Sequence, residues 1–90
     1  MVVNIRNVRR PWPANYVYIG RNSVWGNPYH LGRDGDRAAV IRRFENYLTG
    51  RPDLLSLLSN LRGKVLVCHC KPEACHGDVI ANRVVALEAV

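Results

Sequence analysis

The sequence lacks several features that would assign it to a class at once. None of its apolar runs approaches the roughly 20 residues of a membrane-spanning helix. The first residues, MVVNIRNVRRPWP, do not have the charged and then apolar layout of a secretory signal. Neither GxGxxG nor GxxxxGK[ST] is present, so the two common nucleotide-binding fingerprints are missing. We therefore expect a cytoplasmic protein without a membrane partner, whose thiols stay reduced.

Acidic residues are missing from the first third of the chain. Residues 1–33 contain five arginines and no Asp or Glu, and the formal net charge of the whole sequence is +6. Lysine is scarce as well, because 11 of the 13 basic residues are arginine. Arginine presents paired donors that fit phosphate and carboxylate groups. The charge predicts an anionic partner, either a nucleic acid, a nucleotide or an acidic protein surface.

The hydrophobic pattern predicts a single domain of three short strands and three helices. The predicted strands are 2–5, 15–19 and 64–68, and the predicted helices are 36–50, 52–63 and 78–90. Asp34 or Asp36 would cap the first helix. The third strand, KVLVC, is continuously apolar, which is typical of a strand buried on both faces. Residues 21–36, rich in Gly, Pro, Asn and Asp, form a long loop.

This order of elements predicts an α/β fold, namely a small three-layer sandwich whose short, mostly parallel sheet is flanked by about three helices. In such folds ligands bind beyond the carboxyl ends of the strands. The loop at 20–29 and the turn at 68–78 each follow a strand, so we expect them to meet at that edge. A homodimer is a further expectation, because a sheet this small has edges to cover.

The turn VCHCKPEACHGD contains all three cysteines and two of the three histidines. Zinc is one interpretation, since thiolate and imidazole are its preferred ligands. The spacing does not favour it, because two of the ligands would be adjacent in sequence and the chain contains no CxxC pair. No cofactor is firmly implied, and zinc stays an alternative with the ligand set Cys68, Cys70, Cys75 and His76.

A reactive thiol is the second interpretation of this turn. Cys75 lies at the start of the last predicted helix, where the helix dipole lowers the pKa of a thiol, and His76 follows it. Cys75 and His76 are therefore the candidate catalytic residues. The N–H groups of the same helix start could instead hold a phosphate, with Asp78 capping the helix or contacting a sugar hydroxyl. The cysteines could also simply pack as small apolar side chains.

The loop after the second strand offers groups for a nucleotide-like ligand. Gly20 permits a close backbone approach and Arg21 supplies a planar fork for an anion. Trp25 and Tyr29 are candidate stacking surfaces, and the amide of Asn27 could read a polar group. The predicted ligand-binding residues are Gly20, Arg21, Trp25, Asn27, Tyr29, Cys70, Gly77 and Asp78.

Three motifs together resemble the domain-of-unknown-function family DUF4326. They are VYIGR, WGNPY and VCHCKPEACHGDVIA, and the similarity covers about residues 16–82. The resemblance implies a bacterial or phage protein, in the host cytosol if a phage encodes it, and it implies no particular reaction. The matching motif residues are Gly20, Arg21, Gly26, Asn27, Pro28, Cys68, Cys70, Pro72, Cys75, His76, Gly77 and Asp78.

The resemblance also bears on one histidine and on a second family. It implies an aromatic side chain at the position of His69, which does not support His69 as a ligand. The closing turn is also similar to the uncharacterised family DUF488, which has Cys-His-Arg where this chain has Cys75, His76 and Gly77.

The leading hypothesis is a small α/β protein that binds a phosphate-bearing, nucleotide-like ligand between the Gly20–Tyr29 loop and the Cys70–Asp78 turn. It would act either as an enzyme or by sequestering the ligand. One alternative is a zinc-stabilised module that binds nucleic acid through its arginines. Another is a phage protein that binds a host protein, with Trp12 and Trp25 as anchors.

Overall fold

The strand that comes last in the chain organises the sheet. In the computed structural model, which describes residues 1–88, β3 (Val65–Cys68) lies between β1 (Val2–Asn4) and β2 (Tyr16–Tyr18). Both pairings are parallel. All three strands therefore present their carboxyl ends at one edge of the sheet. The predicted α/β fold with a small parallel sheet and three helices is confirmed.

Three α-helices and two short 3₁₀ segments complete the structure. The α-helices are α1 (Arg37–Thr49), α2 (Pro52–Leu57) and α3 (His76–Glu88), and the 3₁₀ segments are Ile5–Asn7 and Leu58–Leu61. The predicted helix at 52–63 is thus divided into α2 and a 3₁₀ turn. Its residues Leu54, Leu58 and Leu61 are buried in the core, whereas Leu57 is exposed. α3 begins two residues before its predicted start, and residues 89–90 of that prediction lie outside the described residues.

Asp36, and not Asp34, caps α1. The Asp36 side chain accepts a hydrogen bond from the Ala39 N–H at 2.9 Å. Asp34 instead stabilises the loop before α1. Its carboxylate accepts a hydrogen bond from the His30 N–H at 2.7 Å and forms a salt bridge with Arg33. Asp34 therefore stabilises the end of the long loop, and Asp36 caps the first turn of α1.

One hydrophobic core joins the helices to the sheet. Its fully buried side chains come from every layer: Ile19 after β2, Phe44 and Leu48 from α1, Cys68 from β3 and Ile80 from α3. The β3 residues Leu66, Val67 and Cys68 are all buried, which confirms the prediction for this strand. Alternation along the strand places Leu66 and Cys68 on the core face and Val67 on the other. Within residues 1–88 no helix is both long and apolar enough to cross a bilayer.

Candidate functional site

A cavity of about 490 Å³ opens at the carboxyl edge of the sheet. Its walls come from the loop after β2 and from the turn between β3 and α3, with α1 closing one side. Seven of the ten predicted site residues line it: Gly20, Arg21, Asn27, Tyr29, Cys70, Cys75 and His76. The two unusual stretches of the sequence therefore meet at one place.

Short hydrogen-bonded turns give the loop wall its shape. The Ser23 N–H donates to the Gly20 carbonyl and the Gly26 N–H donates to the Ser23 carbonyl, each at 3.1 Å. A Cβ at Gly26 would lie 2.8 Å from the Gly20 carbonyl oxygen, so the turn requires glycine there. Asn27 then fixes the loop to α1, because its amide nitrogen donates to the Val40 carbonyl at 3.2 Å.

Two predicted roles in this loop differ from what the structure shows. The oxygen of the Asn27 amide accepts the Tyr29 N–H at 2.9 Å, so both ends of that amide already hold the loop. Trp25 is only 5% exposed and belongs to the core, so it offers no free face for stacking or for a host protein. Its ring fills space beneath the loop, and Tyr29 is the aromatic side chain that lines the cavity. Trp12, the other predicted anchor, is half-buried.

His76 connects the two walls. Its Nε2 lies 2.8 Å from the Ile19 carbonyl oxygen, and a neutral ring with hydrogen on Nε2 donates to that oxygen. The ring meets Phe44 edge to face, with centroids 5.0 Å apart. Burial is the main cause that lowers the pKa of His76, opposed by its hydrogen bonds to the backbone of Ile19 and Trp25. A neutral imidazole thus holds the end of β2 against the start of α3.

Cys75 is buried beside a second cysteine. It is about 1% exposed, and its Sγ lies 3.1 Å from the Sγ of Cys68. Burial raises the pKa of the Cys75 thiol well above its usual range, and this outweighs the Gly77 N–H that donates to the sulfur. The helix start was expected to lower that pKa, so the thiol is less reactive here than the nucleophile hypothesis for Cys75 assumed.

The start of α3 is capped by the protein itself. The Asp78 carboxylate accepts the Cys75 N–H at 3.1 Å and the Lys71 ammonium at 2.6 Å, while the Cys75 sulfur accepts the Gly77 N–H at 3.3 Å. This is a capping arrangement in which cysteine replaces serine or threonine. The N–H groups of Cys75 and Gly77 thus already have partners, and the Asp78 carboxylate occupies the positive end of the helix where a phosphate was predicted.

Gly77 and Asp78, although predicted to bind ligand, therefore build the turn and do not line the cavity. A Cβ at Gly77 would lie 2.7 Å from the Ile19 side chain and 3.0 Å from that of Val2. Glycine at this position lets α3 approach the sheet closely.

The zinc alternative finds no geometric support. Over residues 1–88, no group of three or more His, Cys, Asp or Glu side chains is arranged to hold a metal ion. His76 directs Nε2 at a backbone carbonyl, and Cys70 is partly exposed while Cys68 and Cys75 are buried.

Two arginines supply positive charge to the cavity. Arg21 was predicted, and its guanidinium lies 2.7 Å from Nδ1 of His30. Arg37, which the sequence reasoning missed, donates to the Ala74 carbonyl at 3.2 Å. The sequence did contain a signal for Arg37. A positive charge in the first turn of a helix is unfavourable because it opposes the helix dipole, so an arginine there suggests a role other than helix stability.

His69 and Glu73 also line the cavity without having been predicted as ligands. His69 is exposed, and its Nε2 lies 3.1 Å from the Tyr18 hydroxyl. Glu73 is positioned by the turn between β3 and α3, in which its N–H donates to the Cys70 carbonyl at 2.8 Å. The remaining wall is apolar and comes from Leu31, Val40 and Ile41.

Comparisons with known proteins show a family and leave its activity open. The profile of the family described as "Domain of unknown function (DUF4326)" matches residues 3–86. A protein of Enterobacteria phage T4, described as "Uncharacterized 12.4 kDa protein in nrdA-td intergenic region", is 41% identical over 71 residues. The match covers 73% of this chain and 64% of the phage protein, so the chain spans less than two thirds of that relative. No solved structure matches significantly.

Proposed function

The chain belongs to the DUF4326 family, and we propose that its cavity binds a small phosphate-bearing, nucleotide-like molecule. The observation that carries the proposal is the composition of the cavity wall. Two guanidinium groups, one aromatic ring and an apolar strip line a single space of about 490 Å³. Small-molecule sites commonly have this size and this combination of apolar walls with a few polar groups.

The charged end of the ligand would lie between Arg21 and Arg37. Arg21 is exposed, and neither arginine forms a salt bridge with an acidic side chain of the described chain. Among the residues that the structure describes, Glu73 is the one acid that lines the cavity, so the two arginines outnumber it. Guanidinium groups bind phosphate through paired hydrogen bonds, which gives geometry as well as charge. This replaces the helix start as the proposed anion site.

The uncharged part of the ligand would pack on Tyr29 and the apolar strip of Leu31 and Ile41. Arg43 lies 5.7 Å from the centre of the Tyr29 ring and covers part of it. A flat heteroaromatic group can stack on such a ring without forming hydrogen bonds along its own edges. A base or a similar ring attached to a phosphate matches both halves of the cavity.

Binding is a better description than thiol catalysis. Both candidate catalytic groups make structural contacts, because His76 donates to the Ile19 carbonyl and the Cys75 sulfur accepts the Gly77 N–H. Sequestration of the ligand therefore fits the site more closely than chemical conversion of that ligand by Cys75.

The test is a titration of ¹⁵N-labelled protein with nucleoside 5′-monophosphates, the matching nucleosides and inorganic phosphate, followed by NMR. We expect the nucleotides to shift amide signals in segments 20–31 and 69–76. Arg21→Ala should weaken binding about tenfold or more, as the loss of a charge-assisted hydrogen bond implies. Arg42→Ala is the matched control, because Arg42 is exposed on α1 and does not line the cavity.

Two results would contradict the proposal. If nucleosides bind as tightly as their monophosphates, the phosphate does not contribute to binding. Equal affinity of the wild type and Arg21→Ala would place the anion outside this cavity.

A further inference from the structure

Two buried thiols touch behind the cavity. The sulfur atoms of Cys68 and Cys75 lie 3.1 Å apart, and each residue is about 1% exposed. Cys68 is the last residue of β3 and Cys75 directly precedes α3, so two regular elements hold them in place. Both are free thiols, and the third cysteine, Cys70, is partly exposed. Nothing in the proposed ligand binding uses this pair.

We propose that Cys68 and Cys75 are a modification site, at which a small hydroperoxide converts the two thiols into a reversible intramolecular disulfide. The sulfur atoms are already in contact, so bond formation needs an approach of about 1 Å towards the length of a disulfide. The proposal is independent of the ligand that the cavity binds. In a reducing compartment such a disulfide is transient, which is typical of redox-responsive pairs.

The cavity provides the route for the oxidant. Cys75 contributes to the cavity wall, whereas Cys68 lies behind it in the core. A hydroperoxide is small enough to enter a space of about 490 Å³ whose lining includes Cys75. Cys75 is therefore the sulfur that reacts first, and Cys68 is the resolving thiol.

His76 can receive the proton that the first step releases. Its Nδ1 lies 3.6 Å from the Cys75 sulfur, and with hydrogen on Nε2 for Ile19 this nitrogen carries a free lone pair. The Cys75 proton moves to Nδ1, and the sulfur then attacks one oxygen of the peroxide. The O–O bond breaks, a sulfenic acid forms on Cys75, and the departing hydroxide takes the proton back from His76 as water.

The second step closes the disulfide. The Cys68 sulfur attacks the sulfenic sulfur of Cys75, the S–O bond breaks, and the hydroxide leaves with the Cys68 proton as a second water. Together the two thiols lose two electrons and two protons, and the peroxide is reduced to two waters. Burial raises the pKa of the Cys75 thiol. The reaction should consequently be slower than that of an exposed thiolate.

The experiment treats the full, reduced chain with hydrogen peroxide and follows the intact mass. Cys70→Ala is the main variant, because it removes the exposed thiol and its separate oxidation products. We expect this variant to lose the mass of two hydrogens and to regain it with dithiothreitol. Adding Cys68→Ala to it should abolish the loss and leave oxygen adducts on Cys75. Adding Cys75→Ala is a second such test, should one of the double variants fold poorly.

Other results would overturn the proposal. If Cys70→Ala only gains oxygen atoms, or stays unchanged while a denatured sample of it oxidises, the pair does not close in the folded protein. If the wild type forms a disulfide and Cys70→Ala does not, the bond runs through Cys70 and not between Cys68 and Cys75.

Discussion

The buried His76 makes the stability of the protein depend on pH. Its side chain is about 7% exposed, and burial holds its pKa below the usual value of 6.5. The unfolded chain therefore binds a proton at a pH where the folded chain does not. Stability from this group is fully present above about pH 6.5 and is lost as the pH falls below it. The nearby Asp78 charge favours protonation, but burial outweighs it.

The expected magnitude follows from one proton. Between the folded and the unfolded pKa of His76, the free energy of unfolding falls by at most about 1.4 kcal/mol per pH unit. The carboxylates of Asp34 and Asp53, whose pKa values are lowered from 3.8, lose their contributions only at more acidic pH. A decline that begins near pH 6.5 is thus separable from theirs.

Urea denaturation between about pH 5 and pH 8 measures this effect. His76→Gln should lower the stability at neutral pH, because the Phe44 and Ile19 contacts change, and should flatten the profile. His69→Gln is the control, since His69 is exposed, and it should keep the decline. A wild type without any decline, or a decline that His69→Gln removes and His76→Gln keeps, would refute the reasoning.

Two further predictions concern packing and thiol access. Gly77→Ala should cost about 1–3 kcal/mol of stability, because its Cβ would lie 2.7 Å from the Ile19 side chain, whereas Gly50→Ala, with its nearest atom at 3.6 Å, should be nearly neutral. Equal losses in urea denaturation would contradict the close approach of α3. With the thiol reagent DTNB, Cys70 should react promptly and the other two thiols only in denaturant. Three equally fast thiols would show that the buried pair is open to solvent.

The elements of the fold could be predicted because their patterns are local. The apolar run KVLVC identifies the central strand, and the spacing of Phe44 and Leu48 identifies the buried face of α1. The choice between Asp34 and Asp36 as cap could not be made from sequence. It depends on the His30 N–H, which reaches Asp34 only when the loop is folded.

The site was predictable in location and less so in chemistry. Parallel strands bring the two motif segments to one edge, so the meeting of Arg21 and Cys70 follows from topology. Sequence does not show which groups are already satisfied. The N–H groups at the start of α3 are taken by Asp78 and by the Cys75 sulfur, and Trp25 turns inward to fill the core. These hydrogen bonds and packing contacts are visible only in the folded structure.

The position of β3 between β1 and β2 has a consequence for synthesis of the protein. Both outer strands leave the ribosome before β3, the strand that pairs with them. Likewise, the Asn4 side-chain amide donates to the carbonyl of His69, which lies 65 positions later in the chain. Pairing over such separations closes long loops and slows folding. A nascent chain that has not reached Val65 has no sheet and only one wall of the cavity. Folding of this sheet is therefore expected to begin only after residues 65–68 have been synthesised.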